Sequence, residues 1–482
     1  MLTSKKSIAS SIMLGLFLAA CETDKDDRKD PRGVTQPPVP TEPEPYNATL
    51  WSTDQIDLAR IGEMAAVKAE LMINGPELTQ TDVYAVQASD SELMTLSLNR
   101  SSEEPGNEPF VLNLESTEWK ALPRPGTPLN YRSSSNILTV DHAFFWGGET
   151  DKGCPVAAGQ VLDRRVNEWK DISTDNAPSP RLYADAHAYQ GRILIFGGIT
   201  GREVPCNDDS NKVSGLTDGR FYSPSSGKWE DDVSVPKELI PDAGPEFTGS
   251  WLVKNHLVVR LTHNEGSRIV ALNLDTGAWK TVFDAVAGAS QLQVAKVKDG
   301  LAVIHYKSSE DTEKPGILKL TRIFGESLEK TAVSEAYLPG VFNLIYVKHD
   351  APSSNSQHFL AIGMKSGDSI MNTSIQFAVD VSGSLKLQPL PIFGSSLVEW
   401  VDVENGFVGL SHDGLGKVIA VYLDKKSGAT RKISGIDIEY NQYTVVRAYK
   451  NRVYFTMGLD KARSYMLELP KQDHSIPLYV ND

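Results

Sequence analysis

From Thr81 to the C-terminus the chain alternates short β-branched and aromatic runs with clusters of Gly, Asn, Asp, Ser and Pro. Alternation with a period of two puts successive side chains on opposite faces, which predicts strands rather than helices. One run recurs in a fixed context: Phe110 to Leu114 before Trp119, Gln160 to Leu162 before Trp169, Arg220 to Tyr222 before Trp229, and Arg268 to Leu274 before Trp279. These four tryptophans mark units at intervals of 50, 60 and 50 residues. Later copies keep the run and lose the Trp: Ile317 to Leu320, Ile375 to Val379, Val418 to Tyr422 and Tyr465 to Leu469. Two further runs precede each copy, as in Asp82 to Val86 with Leu93 to Leu98, Gln291 to Ala295 with Leu301 to His305, and Tyr443 to Val446 with Val453 to Thr456. With the run after the turn, each unit is predicted to be a four-stranded sheet.

A small sheet cannot bury both of its faces alone, and repeated sheets stacked radially bury them against one another. The predicted fold is therefore all-β: a single-chain β-propeller over residues 81–482. It has eight four-stranded blades, or seven if the first unit is not a full blade. Residues 47–80 read differently. Ser52 and Thr53 with Gln55 form a helix-start pattern, and Ile56, Ala59, Met64, Val67 and Leu71 recur at roughly helical spacing. This predicts a lead-in with a short helix; the competing reading is an irregular lead-in that adds an outer strand to a blade.

The stretch from Pro180 to Trp229 carries the most detailed pattern. It runs through Pro180-Arg181, Ala186-His187-Ala188, the strand Arg192 to Phe196, the pair Gly197-Gly198, a long polar loop, Phe221-Tyr222 and Gly227-Lys228-Trp229. The preceding unit repeats the core of it, with Phe144-Phe145-Trp146 before Gly147-Gly148. This order resembles the Kelch repeat, one blade of a galactose-oxidase-type propeller. Remnants persist at Ile362-Gly363 and Met457-Gly458. Aligned on the glycine pairs, Cys154 and Cys206 fall in the loop between second and third strands of neighbouring blades, which predicts a Cys154–Cys206 disulfide stapling them; two free thiols are the alternative.

The first 20 residues are a signal peptide rather than part of the fold: Lys5 and Lys6, an apolar stretch from Ile8 to Leu18, then Leu18-Ala19-Ala20-Cys21. That ending resembles the lipobox of bacterial lipoproteins, which implies lipidation of Cys21. Residues 21–46 are acidic and then Pro-rich, a composition that favours an extended tether. Glu22 after the lipidated cysteine, rather than Asp, favours the outer membrane of the cell envelope, facing either the periplasm or the cell surface. The formal charge of −14 becomes −16 once Lys5 and Lys6 leave with the signal, which argues against nucleic acid as a partner. Membrane contact is expected through the N-terminal lipid alone, with an envelope protein or glycan as partner.

Chemistry is expected in loops. The longest, Ile199 to Gly219, contains Asn207, Asp208, Asp209 and Asn211, a candidate binding loop whose clustered oxygens suit either a solvated turn or Ca²⁺. The turn is favoured, because the Gly and distal Glu of a helix-loop-helix calcium site are missing. The sequence has no HExxH, CxxC or GxSxG, so no catalytic residues, metal or cofactor are assigned. Nothing matches the copper centre of galactose oxidase. His187 reads as a structural blade residue. Arg132, Arg181 and Arg260 either point to the channel mouth or brace strand ends. The expected function is a lipid-anchored docking platform for a protein or glycan. The alternative is a carbohydrate-active enzyme, such as a sugar mutarotase or lyase, since bacterial sialate mutarotases are also exported Kelch-type propellers. Convergent charged residues with displaced pKa values at the channel mouth would favour the enzyme; a broad exposed apolar patch would favour docking.

Overall fold

The computed structural model describes residues 62–65, 68–72, 82–89, 91–98, 109–125, 133–150, 153–200, 213–242, 244–245, 247–263, 266–285, 291–297, 300–307, 316–325, 327–338, 342–348, 360–365, 374–379, 385–389, 399–412, 417–425, 429–438, 444–457 and 463–470. All of them belong to the compact unit Tyr46–Asp482. Among them no helix is long and apolar enough to cross a membrane.

The strands begin with β1 (Gly62–Ala65) and β2 (Lys68–Leu71), which pair only with strands near the other end of the chain. Antiparallel sheets then follow in chain order: β3 (Asp82–Ser89), β4 (Glu92–Leu98), β5 (Phe110–Asn113) and β6 (Trp119–Ala121); β7 (Ser134–Leu138), β8 (His142–Gly147), β9 (Gly159–Asp163) and β10 (Glu168–Asp171); β11 (Asp185–Tyr189), β12 (Arg192–Phe196), β13 (Asp218–Ser223) and β14 (Lys228–Ser234); β15 (Phe247–Val253), β16 (His256–His263), β17 (Gly266–Asn273) and β18 (Trp279–Ala285). Next come β19 (Gln291–Val297), β20 (Gly300–Lys307), β21 (Gly316–Phe324) and β22 (Glu329–Leu338); and β23 (Phe342–Lys348), β24 (Leu360–Lys365), β25 (Ser374–Val379) and β26 (Leu385–Pro389). The next sheet holds β27 (Glu399–Val403), β28 (Gly406–His412), β29 (Val418–Asp424) and β30 (Thr430–Ser434), with β1 added parallel to β30. The last holds β31 (Thr444–Tyr449), β32 (Arg452–Met457) and β33 (Arg463–Glu468), with β2 antiparallel to β33 as its fourth strand.

Two sequence expectations are corrected here. The expected eight four-stranded blades are not what the described residues form: seven sheets have four strands, the number given as the alternative, and the sheet that recruits β1 has five. The short helix is not formed over the described lead-in, where two strands stand instead; Ile56, Ala59 and Val67 lie outside the described residues. The physical reason is visible in Lys68-Ala69-Glu70-Leu71, which alternates polar and apolar with a period of two. Met64 is buried beside Ile433, and the free edges of β30 and β33 supply backbone partners that an isolated short helix lacks.

The first strand of each sheet lies innermost, and these strands abut one another: β3 on β7, β7 on β11, β11 on β15, β19 on β23 and β27 on β31, with β31 returning onto β3. Apolar side chains fill the gaps between neighbouring blades. Phe144, Trp146 and Val161 of one blade pack on Ile193, Ile195, Tyr222 and Trp229 of the next. The Trp146 and Trp229 rings meet edge to face at 5.5 Å, and Tyr222 lies 5.2 Å from Trp229, arrangements that aromatic quadrupoles favour. The recurrent Trp also has a polar task. Trp169 Nε1 donates to Pro123 O and Trp229 Nε1 to Ser173 O, both at 2.7 Å. Each acceptor lies four residues past the Trp of the preceding blade, so the repeat spacing in the sequence is the spacing of a blade-to-blade hydrogen bond.

Gly198 shows why the paired glycines are required. Its φ is +86°, and a Cβ there would sit 2.5 Å from Leu182 O. That tight approach lets Leu182 and Ile199 exchange backbone hydrogen bonds across the blade end.

A candidate polar site at the inner edge of two blades

Period-two alternation on β11 divides its side chains between two blade interfaces. Ala186 joins Ala184 in the apolar contact with the preceding blade. Asp185, His187 and Tyr189 face the other way, toward the β15–β18 blade. There Leu194, Phe196 and Phe221 meet Leu257, Val259 and Leu261 in an apolar core, with Tyr189 packed at its margin. At the inner edge of this core the chemistry becomes polar. Ser250 of β15 donates its backbone N–H to Asp185 Oδ2 at 2.6 Å and its hydroxyl to the same oxygen at 3.0 Å. His187 Nε2 lies 2.8 Å from Ser250 Oγ. Ser250 has one hydroxyl proton, and it is committed to Asp185; His187 must therefore donate from Nε2 to Ser250 Oγ, which leaves a lone pair on Nδ1.

Burial shapes the protonation of both residues. It pushes the Asp185 carboxyl up to about 6, against the opposing pull of the two Ser250 hydrogen bonds and the Arg260 charge. It lowers His187 to about 4, and the Lys296 charge adds to that. Arg260 itself is pulled down by burial and held up by Asp185. Its Nη1 donates to Leu292 O of the following blade at 3.1 Å, and its guanidinium lies 6.0 Å from the Trp251 ring centroid. At neutral pH the site thus holds an ionised Asp185 balanced by Arg260 and a neutral His187.

Two other inner edges are built differently. Between β7 and β11 the corresponding contact is Ser135 Oγ donating to Ala184 O at 2.8 Å, beside two alanines. Between β27 and β31 it is apolar, made by Val401, Val403, Val446 and Ala448. A titratable pair between β11 and β15 costs desolvation that small or apolar residues avoid, and sites with displaced pKa values concentrate where a protein acts on a ligand.

Arg181, 1% exposed, is a brace. Its guanidinium donates to Ser179 O, Ser179 Oγ, Gly197 O and Asp218 O and pairs with Asp218 Oδ2 at 3.1 Å, tying the end of β12 to the start of β13. Arg260 braces Leu292 and supplies charge to the polar site. His187 is part of the site rather than a solitary blade residue. Cys154 lies half-buried in the loop between β8 and β9, where its N–H donates to Thr150 Oγ1. Cys21, Arg132, Cys206, Asn207, Asp208, Asp209 and Asn211 lie outside the described residues. Among the described residues no group of three or more His, Cys, Asp or Glu converges as a metal site. Sequence reasoning missed Asp185 and Ser250. The available signal was an Asp two residues before a His within one strand, where Asp is disfavoured.

Radially packed four-stranded sheets, paired left-handed glycines and blade-to-blade tryptophans define a Kelch-repeat β-propeller. Comparison with known proteins agrees with that class. The chain is similar to Kelch domain-containing protein 2 of Bos taurus, with 32% identity over 95 residues, which are 19% of this chain and 23% of that protein. It is also similar to Alpha-scruin of Limulus polyphemus, with 33% identity over 104 residues, 21% of this chain and 11% of that protein. The chain therefore spans about a quarter and a tenth of these two relatives. No family model matches it.

The polar site gives a pH prediction. Asp185 keeps its proton up to about pH 6 in the fold against 3.8 ordinarily, so the native state binds the extra proton in that window and stability falls as pH rises through it. His187 titrates at about 4 in the fold against 6.5 ordinarily; the unfolded chain binds the extra proton, and stability rises with pH. Each contribution is on the order of 3 kcal/mol, and between pH 4 and 6 the two oppose each other. Relative to wild type, Asp185→Asn should become progressively less stable on acidification across this window, and His187→Gln progressively more stable. Urea unfolding at a series of pH values reads both slopes, and parallel profiles for wild type and both variants would contradict the assignment.

Proposed function

We propose that this Kelch-repeat propeller is a lipid-anchored component of the bacterial cell envelope that docks a protein or a glycan. The observation that carries the reading is how the blades use their polar groups. Trp169, Trp229 and the Arg164–Glu92 pair, bidentate at 2.9 Å, are committed to holding blades together, and Arg181 to bracing one blade. Such use leaves recognition to loops carried on a rigid ring. Similarity to a Kelch domain-containing protein supports the scaffold part of the reading. The lipobox-like Leu18-Ala19-Ala20-Cys21 and the Pro-rich tether support anchoring. The loop bearing Asn207, Asp208, Asp209 and Asn211 is the candidate docking element, and a Cys154–Cys206 disulfide would hold it against the neighbouring blade.

A second reading, a carbohydrate-active enzyme acting at the inner end of the ring, is favoured by one observation: Asp185 and His187 carry the displaced acid and base strengths that proton transfer uses.

Affinity capture with the full chain from detergent-solubilised envelopes separates the two. Docking predicts one stoichiometric protein or glycan partner, a protein partner being lost when residues 201–212 are replaced by a short Gly/Ser linker, and release of the chain from the membrane fraction by Cys21→Ala. No such partner, together with turnover of neutral sugars that Asp185→Asn abolishes, would replace docking by the enzyme. Separately, peptide mapping before and after reduction should show a Cys154–Cys206 linked peptide; unmodified separate peptides would dismiss the staple.

A further inference from the structure

The Asp185, His187 and Ser250 cluster has a directionality that the blade packing does not explain. Ser250 occupies Asp185 Oδ2 twice and His187 Nε2 once. The remaining atoms, Asp185 Oδ1 and His187 Nδ1, have no hydrogen-bond partner among the described residues, and both residues are half-buried on an innermost strand. A cluster needed only to join two blades would turn its hydrogen-bonding groups on one another. Here the serine uses up one side of each residue and fixes the orientation of the other.

The two open atoms are both acceptors. One is a carboxylate oxygen and the other an imidazole lone pair, the latter following from the proton count at Ser250. They stand on the same face of one strand, two residues apart, which spaces their Cα atoms by about 6.5 Å. A matching ligand must offer at least two donors across that span. The local charge narrows the class further. The Arg260 and Lys296 charges reach Asp185 and His187 respectively, so the neighbourhood already holds cations and disfavours an ammonium ligand. An anion would meet the Asp185 carboxylate. Hydroxyl groups on a neutral molecule satisfy both acceptors without adding charge.

We propose that Asp185 Oδ1 and His187 Nδ1, oriented by Ser250, form a binding site for a neutral polyhydroxylated ligand, a saccharide. The site takes vicinal or closely spaced hydroxyls as donors, and Ser250 acts as the positioning residue. This deepens the glycan branch of the function proposed above and rests on it, but it does not depend on the loop at 201–212 or on the lipid anchor. It also sets a pH requirement. The acceptor on Asp185 exists only in the ionised form, and the groups facing it, namely Ser250, His187 and Arg260, do not lose their own roles between pH 6 and 8. Binding should therefore weaken about tenfold for each pH unit below the Asp185 midpoint.

The test is calorimetric titration of the full chain in detergent with methyl glucoside, methyl galactoside, N-acetylglucosamine and maltose at millimolar concentration. The expected result is saturable binding of at least one of them at neutral pH, weakened tenfold or more by Asp185→Asn and by His187→Gln and declining below pH 6 in the wild type. Ser250→Ala should weaken binding while circular dichroism and melting remain those of a folded propeller. Substituting residues 201–212 should leave it unchanged. The proposal is overturned if none of the four sugars binds, or if binding survives both Asp185→Asn and His187→Gln in folded protein. Sugar binding lost only with the 201–212 substitution would keep the glycan platform and remove this site.

Discussion

The ring depends on a single closure: its last blade is completed by a strand from the beginning of the chain. β2 lies against β33, and without it that blade would have three strands and an open outer edge. Beside it β1 covers the outer edge of β30, in parallel register from Gly62 with Arg431 to Ala65 with Ser434. The last blade meets the first through Tyr454, whose hydroxyl donates to Leu114 O at 2.6 Å beside Leu93, Leu112 and Met466. Lys450 pairs with Glu115 at 3.0 Å on the rim of the same junction. Every other interface joins neighbours in sequence and is favoured by short connections. This one joins residues more than 330 apart, so the contacts must offset the entropy of closing the longest loop in the fold.

Closure also explains why degenerate repeats suffice. Once the ring is held, each blade needs only apolar faces of matching size. The blades after β18 keep alternating strands while dropping the tryptophan and the paired glycines, and Val303, Leu320, Val408 and Tyr422 bury themselves without either. Where the full motif survives, it adds specific links: the Trp169 and Trp229 hydrogen bonds to the preceding blade and the Arg181 fork on Gly197 and Asp218. The two tryptophan bonds join the first three blades, and the Arg181 fork secures the blade whose β11 presents Asp185 and His187 to Ser250.

Strand periodicity was legible because each blade is solved locally. The runs read as third strands became β5, β9, β13, β17, β21, β25, β29 and β33, and the four tryptophans all fell on fourth strands. The lead-in was misread because its partners are far away: nothing local tells Lys68 to Leu71 that the edge of β33 awaits it, and a single Met64 and Leu71 fit helical spacing as well as a strand. The polar site was hidden for a related reason. Asp185 and His187 are two residues apart in sequence, but Ser250 lies 65 residues from Asp185, and the opposite shifts of the two titrating groups arise only when the interface closes around them. Arg181 and Arg260 were indistinguishable as sequence and separate cleanly once their carbonyl acceptors are known.

The most direct test of this account is the thermal unfolding of two truncated chains, one lacking residues 1–61 and one lacking residues 1–72. If β1 and β2 close the ring, the first should melt cooperatively near the full chain and remain monomeric, whereas the second should melt several degrees lower or associate through the bared edges of β30 and β33. Equal melting temperatures and monomeric behaviour for both would contradict closure by the N-terminal strands.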